Sequence, residues 1–287
     1  MEAQTPSRTA MATSLMRALH SHADPLPFID DPWGERLLTD ARAVIDERAR
    51  KAGLTGVDEY LHGNAAYLNV ILRTRFAEDA LAESLARGVR QYVVIGAGFD
   101  SYALRNGASD LVVYEVDHPA TQTYKRRLLA DSGVATPANL RFVAADLGEE
   151  KLGDALARAD FDASAPAFFS WLGVTMYLPR EANFATFREI ARLGAAGDEL
   201  AFNYMDARVL AAVNAPAFAA MRAQVESAGE PFVCGFDPAR IGADLAECGL
   251  TLLEDHGGDE LLARYDPERR NGFVGKPTSR VARARIG

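Results

Sequence analysis

The sequence predicts an α/β fold: a doubly wound, mostly parallel sheet with helices on both faces. Two continuous β-branched runs, Gln91–Ile95 and Leu111–Val116, have the mainly apolar character of strands buried on both sides. The first ends in Gly96 and Gly98, and the second carries Glu115 and Asp117 at its end. Helix-compatible stretches separate these runs from each other and from later apolar runs, the pattern of strand–helix–strand units.

The first 63 residues read as a helical cap that precedes the sheet domain of 64–287. Thr9 to His20 carries Ala, Leu and Met at helical spacing, and Asp24-Pro25-Leu26-Pro27 breaks it. Phe28 to Trp33 is an aromatic loop, and a helix restarts near Gly34. This segment either closes over a pocket or covers a sheet edge; the sequence leaves both readings open. Asn64 to Arg87 is a long helix whose apolar face is Leu68, Ile71, Leu72, Phe76, Ala80 and Leu85. Arg73 and Arg75 interrupt that face. Helical arginines are ordinarily solvated or ion-paired; the functional reading is a guanidinium fork aimed at a ligand carboxylate.

After strand one (Gln91–Ile95) and strand two (Leu111–Val116), Pro119 to Ser132 reads as a helix stopped by Gly133. Leu140 to Val143 is strand three, ending at Asp146-Leu147. Asp146 is either an N-cap for the next helix or an acceptor for an adenine amine at the carboxyl edge of the sheet. Pro166 to Val174 is strand four, Arg180 to Leu193 a helix, and Glu199 to Tyr204 strand five. The alanine-rich stretch from Ala207 to Pro231 reads as the body of a helical insertion over 207–235, long enough to shape a substrate pocket. Asp237-Pro238 starts a helix that ends at Cys248-Gly249. Leu250 to Glu254 is strand six, followed by a loop with His256; Leu261 to Tyr265 is helical. Asn271 to Lys276 is a candidate final strand, and the basic tail from Thr278 is expected to fray.

Glycines after strand one let a ligand approach the backbone, and an acid after strand two can accept ribose hydroxyls. A plain strand-to-helix turn also needs a glycine, so the Gly motif alone is weak. The third glycine of a dinucleotide fingerprint is missing, with Ser101 in its place, and Asp100 stands where a pyrophosphate would be repelled. That favours S-adenosylmethionine over NAD.

The net charge of −9 disfavours general nucleic-acid binding. The two cysteines, Cys234 and Cys248, lack metal-type spacing and are expected to be reduced thiols. Arg8, Arg17, His20 and His22 interrupt any signal-like apolar core, and Pro166 to Leu178 is too short to span a bilayer. A cytoplasmic enzyme with a small-molecule partner and no membrane partner is the expectation.

Gly96-Ala97-Gly98-Phe99-Asp100-Ser101 with Arg105 resembles the Gly-Ala-Gly-Leu-Asp-Thr signature of the leucine carboxyl methyltransferase-like group of class I methyltransferases. Ser7 to Ala10, Arg73-Thr74-Arg75-Phe76 with Glu78-Asp79, Glu115 to Pro119, Asp146-Leu147 and Gly173 to Pro179 resemble its other motifs. The resemblance implies a seven-stranded sheet with an antiparallel last strand, S-adenosyl-L-methionine as methyl donor and S-adenosyl-L-homocysteine as product. It implies O-methylation of a carboxylate or hydroxyl in secondary metabolism. Carried over by position, Asp117 holds the ribose, with Glu115 nearby; Asp146 and Leu147 hold the adenine; Gly96 and Gly98 underlie the methionine. Arg73, with Arg75 second, takes the methionine carboxylate. Asp100, His118 and Trp171 complete the expected cofactor set. One departure stands out: Leu172 precedes Gly173 where many relatives have glutamate.

A sulfonium is a strong methyl donor, so displacement needs positioning more than acid–base help. A carboxylate acceptor is already ionised near neutral pH. A hydroxyl acceptor wants a base, for which His256 and then Asp206 are the candidates, although a surface role is the ordinary reading of His256. Tyr177 and Asn203, at carboxyl strand ends, either orient the acceptor or bond locally. The competing functions are an NAD-dependent oxidoreductase and a non-catalytic nucleoside-binding module.

Overall fold

A computed structural model describes residues 7–106, 110–212, 219, 232–273 and 279–287. The first helices are α1 (Arg8–Ala23), α2 (Trp33–Leu37), α3 (Thr39–Lys51), α4 (Val57–His62) and α5 (Tyr67–Ala86). Then come β1 (Gln91–Ile95), α6 (Tyr102–Arg105), β2 (Val112–Asp117), α7 (Pro119–Asp131), β3 (Leu140–Ala144), α8 (Leu152–Ala157) and β4 (Ala167–Trp171). A 3₁₀ turn (Thr175–Tyr177), α9 (Arg180–Leu193), β5 (Glu199–Met205) and α10 (Ala207–Ala212) follow. The chain ends in α11 (Ile241–Ala246), β6 (Leu250–Gly257), α12 (Gly258–Tyr265) and β7 (Ser279–Ile286).

Among the described residues the sheet has seven strands in the order β3-β2-β1-β4-β5-β7-β6. β1 pairs in parallel with both β2 and β4, so the strand order reverses between β1 and β4. Ligands bind in the crevice that such a reversal opens beyond the carboxyl ends of the strands. β1, β4 and β5 are buried at every position, which explains why their runs are mainly apolar. Ile95 lies level with Val116 and with Trp171, so Gly96, Asp117 and Leu172 emerge together at that edge.

Two apolar clusters pack one face each of the sheet's centre, and a third lies under the first helices. Trp171, Phe169, Val116, Phe187 and Phe202 belong to one of the first two; Val94, Phe168 and Leu81 belong to the other. The third joins Leu15 and Leu19 of α1 to Leu72 and Phe76 of α5, Leu261 of α12 and Val281 of β7. The amino-terminal helices therefore share a core with the last strand.

The carboxyl end departs from expectation. Asn271 to Phe273 form no strand, 274–278 lie outside the described residues, and the tail expected to fray is β7, hydrogen-bonded between β5 and β6. Its arginines are not a solvated basic run. Buried Arg283 pairs with Glu199 at 2.6 Å and with Glu83 at 2.6 Å, and Arg280 pairs with Asp255 at 2.9 Å. β6 runs on to Gly257, so His256 is a strand residue rather than a loop residue. Of the insertion expected over 207–235, α10 is helical and 232–235 are not, while most of the rest lies outside the described residues. Asp146 caps no helix: its Oδ1 accepts from the Gly148 amide at 2.9 Å in a turn, and α8 begins after Lys151. Both cysteines are free and buried. No helix among the described residues is long and apolar enough to cross a membrane.

Candidate active site

Two cavities open at the carboxyl edge of the sheet and share Thr9, Thr13, Arg73, Gly173 and Tyr177 as walls. The first, of about 400 Å³, lies over β1, β2 and β4. The second, of about 410 Å³, lies between the sheet edge and α1, α3 and α5.

The smaller cavity is built on the turn after β1. The Val116 carbonyl accepts from both Gly96 (2.9 Å) and Ala97 (3.1 Å), folding the turn back over β2. Gly96 and Gly98 hold φ of +69° and +54°, a region that side chains rarely adopt. A methyl carbon built on Gly98 would fall 2.8 Å from the Ala10 Cβ, so α1 rests directly on this turn. Ser7 caps α1, accepting from the Ala10 amide at 3.1 Å, and is tied to α7 through Thr121.

Asp117 faces this cavity. Its Oδ2 accepts from the Gly98 amide and its Oδ1 from the His118 amide at 2.6 Å. Burial raises the pKa of this carboxyl above its ordinary value, and these two amide bonds oppose the rise. A carboxylate offers about four acceptor positions, so two remain for a diol. His118 caps α7 through Nδ1, and its Nε2 lies 3.6 Å from Asp146 Oδ2. Asp146 and His118 thus form the outer wall, next to Asp117. Asp100 lines the same cavity and accepts from the Tyr102 amide at 2.8 Å.

Arg73 sits where the two cavities meet. Among the described residues it makes no ion pair, although the other arginine of its motif does. A methyl carbon built on Gly173 would fall 2.7 Å from Arg73 Nη2, so only glycine lets the guanidinium lie against this loop. Burial lowers the Arg73 pKa to about 10, which leaves it charged at neutral pH. An acid below and a cation without an acid above fit the two ends of an amino-acid-bearing nucleoside. Leu172, Val174 and Leu178 give that cavity an apolar wall between them.

Other candidates lie elsewhere. Arg75 donates to Asp79 at 2.9 Å and to the Phe28 carbonyl at 2.8 Å, and lines neither cavity. Glu115 is buried beneath the turn and paired with Lys125 at 2.6 Å. Trp171 is 1% exposed and packs edge-on to Phe187, a core residue. Leu147 projects outward, 37% exposed. His256 bonds Glu254 at 3.1 Å and meets Phe76 edge-on, away from both cavities. Asp206 is engaged by Arg208 and lines neither cavity.

Tyr177 reaches both cavities and stacks on Phe232, with ring centroids 5.6 Å apart. Sequence reasoning missed Thr9 and Thr13 of α1 as walls, and Leu172 as a wall in its own right. The Ser7–Ala10 motif marked the segment but not its contact with Gly98.

The sequence model of the leucine carboxyl methyltransferase family matches residues 10–191. A Mycolicibacterium smegmatis protein provisionally named an S-adenosyl-L-methionine-dependent methyltransferase is 37% identical over 71% of this chain and 68% of its own. A Bacillus subtilis protein with the same provisional name is 31% identical over 95% of each chain. The fold is similar to that of a DUF574 family protein from Streptomyces avermitilis, with a TM-score of 0.57 at 18% identity over 80% of this chain and 91% of that one. The chain belongs to the leucine carboxyl methyltransferase family and is an S-adenosyl-L-methionine-dependent methyltransferase.

Proposed function

We propose that this enzyme methylates an oxygen of a small molecule, a carboxylate before a hydroxyl, and on the family resemblance we place it in secondary metabolism. S-adenosyl-L-methionine supplies an electrophilic methyl group on a sulfonium. Asp117 accepts from the ribose hydroxyls, and Asp146 with His118 borders the adenine. Gly96 and Gly98 leave room for the methionine chain, and Arg73 takes its carboxylate. The helices over 7–63 act as a cap that keeps water from the junction of the cavities, where Tyr177 orients the acceptor.

The preference for a carboxylate follows from the second cavity. Among the described residues, its only acidic wall residue is Asp40, exposed in the first turn of α3, and no histidine lines it. A hydroxyl would need a base there, whereas a carboxylate does not.

The observation that carries this reading is the charge arrangement across one cavity: acidic Asp117 at one end and Arg73, without an ion pair among the described residues, at the other. Asp117→Ala tests it. Loss of two hydrogen bonds to a charged acceptor costs about 3–6 kcal/mol, roughly 100-fold to 10,000-fold in affinity. Calorimetric titration with S-adenosyl-L-homocysteine is expected to show that loss, and Asp117→Asn an intermediate one. Undiminished affinity in Asp117→Ala rules the assignment out.

A further inference from the structure

The walls of the second cavity divide the arginines of three helices into two sets. On α3, Asp40, Ala41, Val44, Ile45 and Arg48 line the cavity, a spacing that marks one helix face. Off that face, Arg42 pairs with Asp58 at 2.7 Å, Arg50 with Asp46 at 2.8 Å and Lys51 with Glu47 at 2.6 Å. Arg48, on the face, makes no ion pair among the described residues. The other two helices repeat the division. Arg17 of α1 pairs with Asp31 at 2.7 Å, and Arg75 of α5 with Asp79 at 2.9 Å. Arg8 of α1 and Arg73 of α5 line the cavity and make no ion pair among the described residues. A chain with 40 acidic residues against 31 arginines and lysines has acids enough to pair them. Guanidiniums kept clear of acids on the walls of one cavity are what an anionic ligand requires.

The cofactor carboxylate accounts for Arg73 but not for Arg8 and Arg48. Neither of these borders the first cavity, and α3 gives that cavity no residue. Arg48 therefore stands on a wall apart from the junction where the methyl group is passed. Asp40 does not neutralise it: eight residues along α3 is about 12 Å, beyond the reach of a screened charge in physiological salt. Between the cations the cavity is apolar and adaptable. Met11, Met16, Met176 and Met205 line it, four of the six methionines of the chain. Methionine fits apolar bodies of varied shape, so these walls discriminate weakly by outline. Discrimination is left to the charges at the rim.

We propose that Arg48, with Arg8, is the specificity-determining site for a second, anionic group on the acceptor. The enzyme then takes apolar molecules that carry a phosphate-type oxyanion away from the oxygen that receives the methyl group. The planar donor fork of arginine suits such an oxyanion. This inference rests on reading the neighbouring cavity as the cofactor site, because the cofactor carboxylate is what occupies Arg73.

Calorimetry on the full chain saturated with S-adenosyl-L-homocysteine tests it, with octyl phosphate, octan-1-ol and octyltrimethylammonium as probes. The wild type is expected to bind octyl phosphate about tenfold or more tighter than octan-1-ol, and the advantage should shrink as salt is raised. Arg48→Gln should weaken octyl phosphate by about threefold or more and leave octan-1-ol unchanged. Arg48→Lys should restore part of the loss. Arg48→Glu should weaken octyl phosphate further and improve octyltrimethylammonium. Arg48 is exposed, and retained S-adenosyl-L-homocysteine affinity in each variant shows that the fold is intact. If S-adenosyl-L-homocysteine fails to bind the wild type, the cofactor reading falls, and this inference with it. If it binds but octyl phosphate and octan-1-ol bind alike, the proposal for Arg48 alone is overturned. The same holds if octyl phosphate binds Arg48→Gln as well as it binds the wild type, since the oxyanion then sits elsewhere.

Discussion

Gly173 separates the two cavities by the thickness of a backbone. Its φ is +76°, and any Cβ would meet the Arg73 guanidinium on two nitrogens and the carbon between them, at 2.7–3.0 Å. Gly173→Ala therefore adds backbone strain of about 1 kcal/mol or more and pushes aside the cation assigned to the cofactor. We expect S-adenosyl-L-homocysteine affinity to drop about tenfold or more and Tm to fall by roughly 2–4 °C. Unchanged affinity by calorimetry would show that Arg73 does not hold the cofactor. Glu115 makes a different kind of prediction. Its Oε2 bonds Lys125, whose Nζ also holds the Asp100 carbonyl at 2.6 Å, while its Oε1 is buried without a partner among the described residues. Burial raises its pKa from 4.5 to about 7, against the pull of Lys125 and helped by the nearby Asp100 and Asp117. The folded state then binds this proton more tightly than the unfolded chain does. The stabilisation is complete below pH 4.5 and is lost as pH rises towards about 7. Glu115→Gln cannot titrate. In denaturant titrations across that window, the stability difference between wild type and variant should shift in favour of the variant as pH rises. A difference that stays constant with pH would refute the assignment.

At the scale of elements, legibility followed the range over which each feature is made. The strands β1, β4 and β5 were readable because a strand buried on both faces is a mainly apolar run wherever it occurs. The cavity at the carboxyl edge was readable in outline because glycines and acids at strand ends act within a few residues of their strands. What could not be read was direction. Arg73 and Arg75 are two residues apart on α5, about 200° around the helix, so only one can face the cavity. Which one does so depends on how α5 lies on the sheet, since the other is consumed by Asp79 and Phe28. Trp171 ends β4 as plainly as Asp117 ends β2, yet it turns into the core with Phe187. The second cavity was unreadable for a stronger reason. α1, α3, α5 and β5 meet there from positions far apart in sequence, and no local pattern marks which of their residues share a wall.

The whole molecule is held together by its last strand, the one element whose sequence argued against it. Arginine at positions 280, 283 and 285 reads as a solvated tail only while the partners are unknown. In the folded chain, Glu199 on β5, Glu83 on α5 and Glu254 on β6 converge on buried Arg283. The same strand carries Val281 into the apolar cluster shared with Leu15 and Leu19 of α1, and Ser279 into the wall of the second cavity. Amino-terminal helices, sheet and cavity are thereby coupled, and should unfold as one unit rather than helices first. Arg283→Met tests this coupling at one atom group. Methionine fills the stem volume but removes one of the arginines that buried Glu199 pairs with, leaving Arg87 and Arg285 among the described residues. Stripping a buried charge of all compensation costs about 3–5 kcal/mol, and with two arginines kept the loss is about 1–3 kcal/mol. We expect Tm to fall by several degrees, with circular dichroism and the fluorescence of Trp33 and Trp171 reporting the same transition, because one tryptophan lies among the amino-terminal helices and the other in the sheet core. Two separated transitions would mean that the amino-terminal helices form a body of their own. The shared core would then be too weak to transmit a change in β7 to the cavity that Ser279 and α1 both line.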